Sequence, residues 1–464
     1  MDILSRLADI TPHVLTGDDA LPYGRDWVGK YETKPLAVVR PGSTQEVSEI
    51  LALCHETGTP VVPMGGNTGL TGATAAEGML VLSLDRMQTI REIRPDARLA
   101  VVEAGVILQN LHDATAEHGL SYPMSFGAKG SARIGGTLAT NAGGSNVLRY
   151  GNTRDLCLGV EVVLADGRVL DLMSELHKDN SGYDLRDLMI GSEGTLGVIT
   201  AAVLKLVPKP LAYATAMVTV PTLSAALRLL NALQTRTGGM VEAFEYMPRD
   251  YMENLERYRS DLTPPLGYDQ DHTIFLEIAS TVPRDCTPDE DGQLPLAAQL
   301  EETLGEMFEE GLVLDAALAQ SETQRALMWT IREVAAEISV AVKPVVINDL
   351  CLPVDQVETF LNRAEAKLRA LDPEFGTCVV SHLGDGNVHY TVFPSTEALI
   401  DPLMEAVEDI VKDMRGSFSA EHGIGLGKLP SMRRRKDPVA LEMMHAIKTV
   451  FDPKGILNPG KTLP

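Results

Sequence analysis

Four glycine-rich patches between residues 63 and 197 constrain this chain more than any other feature. The first, Pro63-Met64-Gly65-Gly66-Asn67-Thr68-Gly69-Leu70-Thr71-Gly72, follows a short apolar run. The second runs from Gly127-Ala128-Lys129-Gly130-Ser131 through Ile134-Gly135-Gly136-Thr137 to Thr140-Asn141-Ala142-Gly143-Gly144. Tyr150-Gly151 and Gly191-Ser192-Glu193-Gly194-Thr195-Leu196-Gly197 complete the set. Without a Cβ, backbone N–H groups can approach a phosphate closely, and left-handed backbone is allowed. One such patch is as readily a surface turn, but four within one domain suggest backbone wrapped around a long ligand. A nicotinamide fingerprint is not among them. The nearest approach, Gly423-Ile424-Gly425-Leu426-Gly427, has the wrong third spacing.

A chain of 464 residues exceeds one hydrophobic core, so two or three domains are expected. Hydrophobic residues make up 44% and charged ones 22%, which argues against disorder. The formal net charge of -24, broken only by the basic run Arg433 to Lys436, argues against nucleic acid as a partner. The five cysteines have no paired spacing, as expected of reduced thiols. Residues Met1 to Ile10 lack the pattern of a signal peptide, and no run approaches the roughly 20 apolar residues that span a bilayer. A cytoplasmic protein is expected.

Residues 1–34 read as an N-terminal arm. Leu36 to Arg40 is a strand candidate, Ser43-Thr44 with Glu46 a helix start, Gly58 its stop, and Pro60 to Pro63 a further strand. Gly159 to Leu164 is another, closed by an Asp166-Gly167 turn. Beyond Pro208 to Pro210 the texture becomes α+β. Leu223 to Leu233, Leu296 to Met307 and Ala316 to Val340 read as helical, with Thr273 to Ile278 and Val345 to Cys351 as strands. Pro283 to Gln293 reads as a surface loop and Pro438 to Val450 as a last helix. No internal repeat is visible.

A second constellation concerns histidine. His382-Leu383-Gly384-Asp385-Gly386-Asn387-Val388-His389 can bring two imidazoles together on a strand-turn-strand path, and Glu421-His422 follows later. Two His and a carboxylate suit a divalent transition metal with open positions, although two histidines flanking a tight hairpin would look the same. Arg332 lies in a helical pattern, where an exposed pairing with Glu333 or Glu337 is the plain alternative to anion binding.

From about residue 35 to the end, these motifs and the run Lys178 to Ile199 resemble the vanillyl-alcohol-oxidase-type flavoproteins. More narrowly, they are similar to the branch of D-2-hydroxyglutarate and D-lactate dehydrogenases. The resemblance implies an α+β fold: a two-subdomain FAD-binding domain over 35–210, then a ferredoxin-like substrate domain over 211–415. A C-terminal segment, 416–464, returns to the flavin. It implies non-covalent FAD, because Asn67 and Thr68 stand where some relatives carry a linking His. Expected flavin contacts are Met64, Gly65, Gly66, Asn67, Thr68, Gly69, Leu70, Pro123, Gly127, Ser131, Gly135, Gly136, Thr140, Asn141, Gly144, Glu193, Gly194, Val198, Ile199 and Asn458. It further implies His382, His389 and Glu421 as ligands of Zn or Mn, His422 as the base, and Arg332, with Asn387 and Lys343, as substrate-binding groups. Hydride would pass from C2 of a D-2-hydroxy acid to flavin N5. The electrons would leave to an electron-transfer flavoprotein or a quinone, and a homodimer is expected.

Three positions depart from the D-2-hydroxyglutarate pattern. Ile347 stands where those relatives carry Lys, Ala336 where they carry Thr, and Thr391 where they carry Asn. The expected substrate is therefore D-lactate or an apolar homologue, with D-2-hydroxyglutarate as the alternative if Lys343 compensates. Rival readings are a flavin-dependent transferase or phenol oxidase, and a non-enzymatic flavin- or metal-binding sensor.

Overall fold

Ser43 begins the first long helix as its spacing predicts, with its hydroxyl accepting the N–H of Glu46, and Gly58 ends it in left-handed backbone at φ 69°. That helix, Thr44–Thr57, links two strands, Ala37–Val39 and Val61–Met64, that flank Leu80–Ser83 in parallel. All three are apolar and nearly wholly buried, as strands covered on both faces must be. The computed structural model describes residues 2–27, 29–290 and 292–464. Asp291, within the expected loop Pro283 to Gln293, lies outside them.

Contacts divide the chain into two units: residues 1–144, 150–208 and 421–464 form one, and residues 145–149 with 209–420 form the other. In the first, a second, antiparallel sheet runs in the order Ile90–Arg94, Leu99–Glu103, Val198–Lys205, Cys157–Val163, Val169–Leu172. The N-terminal residues are not a separate arm, since Leu7 is buried in the core and Val14–Leu15 pairs with Val38 and Val39. The last residues close the small parallel sheet. Val61 donates to Ile456 O and accepts from Asn458 N, each at 2.8 Å.

The second unit is built on one antiparallel sheet of seven strands. Its first four strands, Ala212–Thr219, Val241–Pro248, His272–Ser280 and Asp315–Leu318, lie in the order fourth, first, third, second. The helices Leu223–Thr237 and Pro295–Glu309 cover them on one face, which is the ferredoxin-like arrangement. Val346–Cys351, helix Val357–Leu371, Gly376–His382, Asn387–Phe393 and helix Ile400–Asp413 then repeat most of the same motif. The repeat lies in the order of strands and helices rather than in the residues, so it was invisible in the sequence. The two halves join where Val241–Pro248 pairs with Gly376–His382, Glu245 standing opposite His382.

Two further sequence expectations need correction. Ala316 to Val340 is not one helix: Asp315–Leu318 is an edge strand paired with Ala216 to Thr219, and Ser321 caps a new helix, Glu322–Glu333. Tertiary pairing here overrides the helix preference of an alanine-rich segment. The chain returns to the first unit at residue 421, not 416, because Ser417 and Ser419 still bridge to Cys351 and Asp349.

Candidate functional site

In the first unit the glycine patches meet. A Cβ on Gly66 would lie 2.2 Å from Ser131 O, so the first patch can rest on the second only with glycine there. Beside this crossing opens a cavity of about 430 Å3, bordered by Tyr23, Met64, Asn67, Asp85 and Arg133. Arg133 donates to Gly105 O at 2.5 Å, and burial lowers its pKa. Four of the expected flavin contacts, Asn67, Asn141, Glu193 and Asn458, carry left-handed φ of 42–53°. Such backbone costs energy and concentrates at ligand sites.

The expected contacts differ in their surroundings. Val198 and Ile199 point into the cores, and Pro123 is buried, whereas Gly127 and Ser131 are exposed. The buried carboxylate of Glu193 accepts the N–H groups of Ile424 (2.9 Å) and Gly425 (2.8 Å). Burial pushes its pKa up, against the pull of those N–H groups. Thr71 secures the same segment, accepting from Leu426 N and Gly427 N at 2.9 Å and donating to His422 O at 3.3 Å. The loop that carries Glu421 and His422 is thus anchored to the first and last glycine patches.

Asn458 donates to Ala73 O and Glu193 O and accepts from Lys461 Nζ at 2.8 Å. Lys461 is 3% exposed and forms no ion pair among the described residues; burial lowers its pKa to about 8. A buried ammonium with no counter-charge among the described residues, bonded to Asn458 at 2.8 Å, suits an anionic group nearby. Neither Lys461 nor Arg133 stood out in the sequence, since single basic residues next to glycines carry no pattern of their own.

In the second unit, Gly376–His382 and Asn387–Phe393 form the anticipated hairpin. His382 pairs opposite Asn387, so His389, two residues on, projects from the same face. The imidazole centroids are 5.3 Å apart, and each ring offers a nitrogen within 4.8 Å of the other's. His382 Nδ1 donates to Glu245 at 2.8 Å. This fixes the tautomer with its lone pair on Nε2, as second-shell carboxylates do for metal-binding histidines. Arg332, 8% exposed, donates through Nε to the same carboxylate at 2.7 Å, and its Nη2 lies 3.5 Å from His382 Nε2. Burial alone would raise the pKa of Glu245, but His382 and Arg332 hold it at about 2.

Arg332 is therefore neither exposed nor paired with Glu333 or Glu337; Glu337 binds Arg259 instead. Asn387 spends its amide nitrogen on Asp349 Oδ1 (3.0 Å) and Leu350 O (2.8 Å), leaving only Oδ1 without a partner among the described residues. Asp349 lies 3.7 Å from His389 Nδ1 and accepts the N–H of Ala420 through its carbonyl at 3.1 Å. Glu421 is the next residue along the chain. Lys343 is exposed and forms no ion pair among the described residues. Ile347 is 46% exposed and pairs across from Thr391.

Two family profiles match the chain: an FAD binding domain over residues 35–173, and the C-terminal domain of FAD linked oxidases over 209–462. The D-2-hydroxyglutarate dehydrogenase of Bos taurus mitochondria is 38% identical, covering 100% of this chain and 84% of its own. That of Stutzerimonas stutzeri is 35% identical, over 97% and 95%. Among solved structures, p-cresol methylhydroxylase superposes with a TM-score of 0.74 at 16% identity, over 99% of this chain and 96% of its own. An alkyldihydroxyacetonephosphate synthase does so with 0.70 at 16%, over 98% and 84%; these two share the fold. The chain belongs to the FAD-linked oxidases, and the match to their FAD binding domain supports FAD as its cofactor.

Proposed function

We propose that the protein is an FAD-dependent dehydrogenase that oxidises a D-2-hydroxy acid to the 2-oxo acid, with His382, His389 and Glu421 holding Zn or Mn. The observation that carries this reading is the meeting of His382 and Arg332 on Glu245. It sets a metal-ligand nitrogen beside a guanidinium, which is what an α-hydroxy carboxylate needs. When bound, the flavin supplies a hydride acceptor and the metal a Lewis acid at the substrate hydroxyl. Arg332 has Nη1 and Nη2 for the substrate carboxylate, an end-on fork. His422 takes the hydroxyl proton, held in place by the clamp on residues 422–427. The electrons then leave to an electron-transfer flavoprotein or a quinone.

We favour D-lactate or an apolar homologue, since Ile347 and Ala336 present apolar exposed surface. A second reading, D-2-hydroxyglutarate, is favoured by the activity that names the relatives above and by Lys343, an exposed cation with no ion pair among the described residues. Steady-state comparison of D-lactate, D-2-hydroxybutyrate, D-mandelate, D-malate and D-2-hydroxyglutarate separates them. A clear preference for the last would overturn the apolar reading. Failure of every D-2-hydroxy acid to bleach the flavin absorbance would overturn both. Among the described residues no helix is long and apolar enough to cross a membrane, and none of the five cysteines is in a disulfide. We place the activity in the cytoplasm on the reduced thiols.

A further inference from the structure

Two carboxylates are buried in the same face of the seven-stranded sheet, and both pair with arginines of the helix Glu322–Glu333. Glu277, 2% exposed, accepts from Thr215 (2.6 Å), Trp329 (3.1 Å) and both ends of the Arg325 fork (2.6 and 2.7 Å). The bidentate Arg325 leaves that carboxylate enclosed by structural donors. Glu245, 1% exposed, has a different company. It takes only the Nε of Arg332, and its other partner is the Nδ1 of His382. The far end of Arg332 and the Nε2 of His382 then stand 3.5 Å apart, too far for a well-formed bond between them. Both are turned toward the same space.

We infer that Glu245 is a positioning residue shared by two functions: it orients His382 as a metal ligand and holds the Arg332 fork at the substrate carboxylate. This rests on the metal-assisted reading above. A carboxylate on Nδ1–H fixes the ring and makes Nε2 a stronger ligand. By engaging Nε alone, the same carboxylate stops Arg332 from swinging while sparing its two terminal nitrogens. The position also explains why a charged residue is kept at the seam between the two halves of the sheet, opposite His382. The consequence is that metal affinity and substrate affinity fall together when Glu245 is changed, whereas loss of the Glu277 pair touches neither.

The test uses the full-length flavin-loaded protein, stripped of metal by a chelator. Zn2+ affinity is measured by competition with a chromophoric zinc chelator, FAD retention by absorbance, and KM with the preferred acid. Glu245→Gln keeps the shape but turns an amide NH2 toward Arg332. We expect its zinc affinity to fall about 10–100-fold and its KM to rise roughly tenfold, with FAD retained. Glu277→Gln should stay within about twofold of wild type in both, because its partners Thr215, Arg325 and Trp329 are not shared with Glu245. Unchanged zinc affinity in Glu245→Gln overturns the inference, and so does an equal loss in Glu277→Gln. If Glu245→Gln does not fold, the double variant Glu245→Met, Arg332→Met leaves no lone buried charge. Loss of zinc affinity there supports the inference and retention overturns it. A wild-type protein that takes up neither zinc nor manganese overturns the metal reading and this inference with it. Equal affinities in wild type and variant overturn the inference alone.

Discussion

Arg332 illustrates how much a buried pairing changes the meaning of a side chain. Its sequence context, Trp329-Thr330-Ile331-Arg332-Glu333, reads equally as a solvated helix face, and only the register that brings Glu245 beneath it shows the side chain to be buried and paired. Glu245 was beyond sequence reasoning, because it lies 137 residues from His382 and reaches it through strand pairing. The one available hint was two glutamates in the otherwise apolar run Val241-Glu242-Ala243-Phe244-Glu245. Lysine at position 332 would keep the charge and lose the fork. Arg332→Lys should raise KM for the hydroxy acid by roughly 10–100-fold, the worth of one charge-assisted hydrogen bond, and steady-state kinetics would show it. His422→Asn should lower kcat by about 10²–10⁴-fold with FAD still bound, the usual range for a lost general base. Turnover close to wild type would remove His422 from the proposed mechanism.

At the scale of elements, the segment 421–427 deserves comparison with the helices around it. It has no regular structure of its own up to Ile424, and its geometry is set by Glu193 and Thr71. Gly425 sits at φ 50°, and a Cβ there would lie 2.4 Å from Thr71 O. Glu193→Gln removes one of the two acceptors that hold Ile424 and Gly425. It should lower kcat about tenfold or more while FAD absorbance persists, since a small misplacement of a catalytic group is costly. An unaltered kcat would show that the clamp is dispensable. Short local signals made much of the scaffold readable: the cap at Ser43, the stop at Gly58, and the Asp-Gly turn between Cys157–Val163 and Val169–Leu172. The edge strand Asp315–Leu318 was not readable, because its strand character comes from a partner about a hundred residues away in sequence. Glu193 is an expected flavin contact, and its carboxylate also holds a loop beyond residue 420, which no local pattern could announce.

For the molecule as a whole, stability and cofactor content give separate tests. Dialysis against a strong chelator should abolish turnover and leave the yellow flavin in place, and Zn2+ or Mn2+ should restore activity. Full activity after chelation would exclude metal assistance. Asp250 adds a pH dependence. Its carboxyl lies in the first turn of the helix Arg249–Tyr258, accepts from Thr377 at 2.6 Å, and is pushed by burial from 3.8 to about 6. Between those values the folded protein holds a proton that the unfolded chain has released. Its contribution to stability is therefore present below pH 3.8 and lost as pH rises through about 6. The gap corresponds to on the order of 3 kcal/mol. Urea denaturation at stepped pH should show this decline in wild type and a flatter profile in Asp250→Asn. Parallel profiles would mean that Asp250 does not hold the proton.

The unit that contains the FAD binding domain draws on both early and late residues, and Val61 finds its partners in Ile456 and Asn458 only after some four hundred intervening residues. On the ribosome this imposes an order. Residues 209–420 can complete their sheet while translation continues, but the parallel sheet behind the first glycine loop gains its last neighbour only when residues 456–458 emerge. Flavin capture in its final form is thus a late event of synthesis. A nascent chain stalled before residue 456 would carry the signature loops without the means to close them.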